Sequence, residues 1–151
     1  MRQRAVALWE WRLASATDTE LRGFGGWIDR EEFDPAWRLA QLKAVLERIG
    51  TVDMDYRIAE TLGRLANQFP AEALGCVQLL VGGENIDVMR VHRFMYRGDL
   101  QRIIHAARTS GDDPLRRQAT AFANALVARG LQQFREVLNP AYQPPPVSDD
   151  N

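Results

Sequence analysis

Asp34-Pro35-Ala36-Trp37-Arg38-Leu39-Ala40-Gln41-Leu42-Lys43-Ala44-Val45-Leu46-Glu47-Arg48-Ile49-Gly50 is the clearest helix in the chain. Proline suits the first helical turn, because the amide proton it lacks would find no intrahelical acceptor there and its fixed φ is already helical. Leu39, Leu42, Leu46 and Ile49 then recur at spacings of three and four and form one apolar stripe. Gly50 stands where a C-cap is needed. Trp37 falls out of register with that stripe.

The same start signal recurs at Phe69-Pro70 and Asp113-Pro114. Pro35 to Pro70 is 35 residues and Pro70 to Pro114 is 44, within the period of about 20 to 50 that marks helical repeats. Asp34-Pro35 and Asp113-Pro114 read as unit starts with acidic caps, and Phe69-Pro70 as the turn inside a hairpin. Between these anchors the pattern stays helical. Residues 2 to 16 carry Val6, Trp9, Leu13 and Ala16 on one face. Trp11 lies about 200° around the helix from Trp9, so the two cannot enter the same core. Thr17-Asp18-Thr19-Glu20 has capping-box spacing and opens a short helix to about Phe24, which Gly25-Gly26 breaks. Asp53 or Asp55 caps a helix bearing Ile58, Leu62, Leu65 and Phe69. Pro70 to Val81 forms the next, with Leu74, Val77 and Leu80, and ends at Gly82-Gly83.

Residues 84 to 96 show only a weak period of two around Ile86 to Arg93 and read as a long ordered loop. Leu100, Ile103, Ile104 and Ala107 restore the helical period up to Ser110-Gly111; Leu115, Ala119, Phe122 and Leu126 continue it to Gly130; Leu131, Phe134 and Leu138 close it. From Pro140 on, Pro144-Pro145-Pro146 and the polar end describe a disordered tail. The expected fold is all-α, an irregular stack of about seven to eight antiparallel helices, with residues 1–139 as one domain and 140–151 as a Pro-rich tail.

Asp112-Asp113-Pro114-Leu115-Arg116-Arg117-Gln118-Ala119 resembles the HEAT-repeat pattern, and Asp53-Met54-Asp55-Tyr56-Arg57-Ile58-Ala59 followed by Leu62-Gly63 looks similar. The resemblance spans about residues 34 to 138 and implies HEAT-like helical hairpins, in which Arg57 and Arg116 or Arg117 would pair with aspartates of neighbouring helices. Pro70-Ala71-Glu72-Ala73 departs from it in having no arginine. The Trp-rich stretch from Trp9 to Trp37 also resembles the terminal region of large multidomain bacterial proteins.

Composition agrees with a globular chain. Of 151 residues, 46% are hydrophobic and 26% charged, which excludes wholesale disorder. The longest apolar runs span a few residues against the roughly 20 that a membrane helix needs, so no membrane association is expected. A single cysteine, Cys76, suits a reducing compartment, and the cytoplasm is the expected location. Net charge near −1 conceals an asymmetry. Residues 1–85 hold ten basic against thirteen acidic side chains, residues 86–139 nine against five.

Catalytic and metal chemistry find no support in the spacing. His92 and His105 lack partners at ligand spacing, Cys76 sits on an apolar face, and the glycine pairs lack phosphate-loop context. Asp29, Glu31, Glu32 and Asp34 lack calcium-loop spacing and read as a solvated turn. The sequence assigns no catalytic residue, cofactor or metal, and no enzymatic activity. Trp11 and Trp37 are the candidate protein interface, because large aromatics are enriched at binding hot spots. Arg93, Arg97, Arg116 and Arg117 are the candidate surface for an anionic partner. The chain reads as a noncatalytic protein-interaction or scaffold module whose partner is another protein or another domain of a larger assembly. A nucleic-acid-binding helical module using the arginine-rich half is the alternative.

Overall fold

Residues 2–53, 55–95 and 98–146 are described by a computed structural model. Among them the secondary structure is helical throughout: α1 (Arg2–Ser15), α2 (Asp18–Arg22), α3 (Pro35–Ile49), α4 (Asp55–Leu65), α5 (Pro70–Leu80), α6 (Val88–Met95), α7 (Asp99–Arg108) and α8 (Asp113–Ala128), with 3₁₀ segments at Gly23–Gly26 and Gln132–Leu138. The all-α expectation holds.

Several of the local start and stop signals act as expected. Thr17 Oγ1 accepts from the Glu20 amide at 3.3 Å while Glu20 Oε2 accepts from the Thr17 amide at 3.0 Å, a complete capping box. Pro35, Pro70 and Pro114 occupy first-turn positions of α3, α5 and α8. Gly50 closes α3 in the left-handed conformation, its amide donating to Leu46 O at 2.8 Å. The acidic caps need correction, however. Asp34 makes no side-chain cap bond, and α8 is capped by Asp112, whose Oδ1 accepts from the Leu115 amide at 3.2 Å. Asp55, one of the two expected caps of the next helix, is the first residue of α4, and residue 54 lies outside the described residues.

The stretch 84 to 96 is the main departure, because a helix stands where a loop is expected. Asp87 is its cap: Oδ1 accepts from the amides of Met89 at 3.0 Å and Arg90 at 3.3 Å. Ile86 before the cap and Val91 in the first turn are both buried, the positions of a hydrophobic staple. The apparent period of two arises because Ile86 lies outside the helix and Val88 and Val91 inside it. Smaller shifts occur elsewhere. A 3₁₀ turn runs through Gly25-Gly26 where a break was expected, and Phe69 precedes α5 as its N-cap, outside α4.

Helix α5 lies at the centre, packed against α3, α4, α7 and α8. Its Ala73, Leu74, Cys76, Val77 and Leu80 are buried together with Leu39, Leu42, Val45 and Leu46 of α3 and Leu100, Ile103, Ile104 and Ala107 of α7. Each such leucine or isoleucine contributes about 1.5–3 kcal/mol relative to an exposed one. Helix α1 is the peripheral element, joined to the core through half-buried Trp9 and Leu13 and buried Ala16.

Arginine is used here differently from the expected interhelical Asp–Arg ladder. Arg116 pairs with Asp113 of its own first turn at 2.8 Å, and exposed Arg57 has no ion-pair partner among the described residues. Aspartate–arginine pairs between elements occur at other positions, Arg48–Asp18 at 3.3 Å, Arg64–Asp29 at 3.6 Å and Arg22–Asp53 at 3.9 Å, and several arginines also donate to backbone carbonyls across element boundaries. Arg48 reaches Leu13 O at 3.1 Å and Ala16 O at 2.8 Å, Arg90 reaches Gly50 O at 3.2 Å, Arg129 reaches Ile86 O at 3.2 Å, and Arg38 and Arg108 reach Ile28 O and Val137 O. A fork of five donors on a long stem is suited to carbonyls left over at helix ends and turns.

Candidate interaction surface around the first helix

The approach of α1 to the body of the molecule is decided by aromatic rings. Trp9 turns inward against Phe24, with ring centroids 4.7 Å apart, and against Trp27 at 5.2 Å. Trp27 continues to Phe33 at 6.2 Å and Phe33 to Trp37 at 5.3 Å, all tilted pairs of the kind that ring quadrupoles favour. Five rings thus form one ladder from buried Phe24 to half-buried Trp37. Arg30 stands over the Trp27 ring at 5.7 Å, and Trp37 Nε1 donates to Glu10 Oε1 at 3.3 Å, tying α3 back to α1.

On the outer side of α1, Trp11 is 67% exposed and Leu8, one turn earlier on the same face, 63%. Trp27 is 43% exposed. Two concavities flank the helix. One of about 380 Å³ is bordered by Leu8, Trp9, Leu13, Leu21 and Trp27, and one of about 370 Å³ by Val6, Glu10, Phe33 and Trp37. The two expected interface tryptophans therefore sit differently. Trp11 projects into solvent, whereas Trp37 forms a wall of the second concavity, with its indole nitrogen engaged. Leu8 and Trp27 join this surface beyond the two tryptophans expected from sequence. The spacing of Leu8 three residues before Trp11 carries that signal, but Trp27 follows a glycine pair and has no periodic context.

The arginines expected to face an anionic partner do not form one unit among the described residues. Arg116 and Arg117 are exposed near the start of α8 and, with Arg108, Thr120 and Asn124, border a shallow concavity of about 500 Å³. Arg93 lies on α6, and Arg97 is outside the described residues. Of the acidic stretch at 29 to 34, Asp29 is engaged in the fold, accepting from Thr61 and pairing with Arg64 at 3.6 Å, while Glu31, Glu32 and Asp34 are exposed, as a solvated turn requires.

Burial pushes the Cys76 thiol up to about 12, and its Sγ lies 3.8 Å from Leu39 O, so it packs as an apolar group. Among the described residues there is no group of three or more His, Cys, Asp and Glu side chains placed to hold a metal ion, and no helix is long and apolar enough to cross a membrane. No protein-family model matches the chain, and neither a curated protein nor a solved structure matches it.

Proposed function

We propose that this chain is a noncatalytic protein-interaction or scaffold module that presents the outer face of α1 to another protein or to another domain of a larger assembly. The observation that supports the reading is the exposure of Leu8 and Trp11 on one face of α1, with part-exposed Trp27 across from Leu8 in one of the two apolar concavities that flank the helix. Large aromatics at the centre of a patch supply most binding energy per residue, and Leu8 and Trp11 are not among the side chains that pack α1 on the core. Cytoplasmic residence is part of this proposal, supported by the lone buried cysteine.

We further propose that the stack is a degenerate HEAT-like array. Packing supports this: with α6 set aside as an insertion, α4–α5, α5–α7 and α7–α8 pack as successive neighbours, and α3–α5, α4–α7 and α5–α8 as next-nearest ones.

The test is affinity capture from the native cell with wild-type chain and with the L8E/W11E double variant. Both side chains are exposed, so the variant should melt within a few degrees of wild type, in keeping with a change of about ±0.5 kcal/mol. A protein retained by wild type and lost with the double variant is the expected result; identical sets of captured proteins would end this reading.

A second reading, nucleic-acid binding, draws on the concavity bordered by Arg108, Arg116 and Arg117. Electrophoretic shift at low salt with wild type and the R116E/R117E variant separates the two, because phosphate contacts lose affinity steeply on charge reversal.

A further inference from the structure

The end of the described chain does not leave the fold at Pro140. Residues 142–146 run without regular secondary structure and return to α7, where three side-chain positions on one helical face receive them: residue 98, immediately before the helix, then 102 and 105 at spacings of four and three. The ring of Tyr142 stands edge-on to His105, centroids 5.7 Å apart. Arg102 Nη1 donates to the Pro145 carbonyl at 3.1 Å. Gly98 leaves space for the proline ring: a Cβ there would stand 2.8 Å from Pro145 Cγ, and its φ of 71° already lies in the left-handed region.

This seat is preorganised. Asp99 is 3% exposed and receives Arg102 Nη2, so the guanidinium is held in place from below while Nη1 points to the tail. Extended proline-rich chain offers carbonyls that have no internal hydrogen-bond partners and loses little entropy on docking, which is why aromatic rings and fixed donors recognise it. Of residues 140–146, Tyr142 packs against the core, and the tail carries none of the fully buried side chains. Its removal from the seat would leave the helical stack intact.

We infer that Gly98, Arg102 and His105 form a binding site for extended Tyr-x-Pro-Pro segments, occupied in this chain by its own residues 142–146 as a displaceable intramolecular ligand. The tail is thereby a built-in competitor. A flexibly tethered ligand acts at an effective concentration on the order of millimolar, so a peptide in solution must overcome it before it can bind.

The test uses the full-length chain and a fluorescein-labelled peptide of the tail sequence 139–147, followed by anisotropy. The Y142S/P145S variant, whose own tail is weakened, should bind the peptide about tenfold or more tightly than wild type, the gain given by release from a competitor at an effective concentration on the order of millimolar whose own Kd for the seat is about 0.1 mM or tighter. Adding H105A, or independently R102K, to that variant should abolish the gain, with circular-dichroism melting used to confirm folding of each protein. Equal affinity of wild type and Y142S/P145S, or a gain that survives both H105A and R102K, would overturn the proposal.

Discussion

Cys76 and His105 are two titratable groups whose surroundings displace them in ways that can be measured. The thiol is fully enclosed between α3 and α5, and desolvation carries it to about 12. At pH 8 it should react with a disulfide reagent only as fast as the protein opens, and at once in denaturant; prompt labelling of the native chain would contradict its burial. His105 is shifted downward, first by partial desolvation and then by the Arg108 cation beside it, while Tyr142 presents a neutral ring to it. A histidine whose pKa is depressed in the folded state binds fewer protons there than in the unfolded chain. Its contribution to stability is therefore complete above about 6.5, the ordinary imidazole value, and is lost as pH falls through that value toward the folded one. Urea midpoints taken from pH 7.5 to 5 should decline more for wild type than for H105Q.

At the element scale the lesson is in α6. Eight residues with two valines facing inward make a weak periodic signal, and the determinants of the helix are the Asp87 cap and the Ile86 position before it. Asp87→Ala removes the acceptor of two amides and the 3.6 Å partner of Arg90. The expected loss is about 1 kcal/mol, read as a lowered urea midpoint at unchanged slope. Where proline, threonine or glycine sets a helix end, local chemistry alone is sufficient and the boundary is legible in sequence. Where a long-range donor completes it, the boundary is hidden: no spacing rule links Arg48 to Leu13 and Ala16, or Arg129 to Ile86.

The whole molecule is a stack organised on α5, to which α1 is joined by few side chains. That asymmetry predicts a gradient of stability. Amide hydrogens of α1 should exchange well before those of α3, α5 and α7, because opening α1 uncovers Trp9, Leu13 and Ala16 while the central leucines stay packed. Uniform protection across all four helices would show that the aromatic ladder binds α1 as firmly as the core. The same asymmetry suits a presenting surface, since the helix that carries Leu8 and Trp11 can adjust without disturbing the stack.

Sequence by itself determined the helical class, most helix starts and the opposition of Trp9 to Trp11, because each depends on chemistry within one or two turns: a missing amide proton, a capping oxygen, 100° of rotation per residue. Tertiary structure alone decided which aromatics join into a ladder, where the arginines go, and that Tyr142 and Pro145 return to α7. Most of those outcomes rest on contacts between residues 10 to 43 positions apart, as from Ile28 to Arg38 and from Arg102 to Pro145. Arginine shows the reason most plainly. Its long stem and five donors satisfy whichever carbonyl the packing brings within reach, so its role follows from the assembled fold and not from its place in the chain.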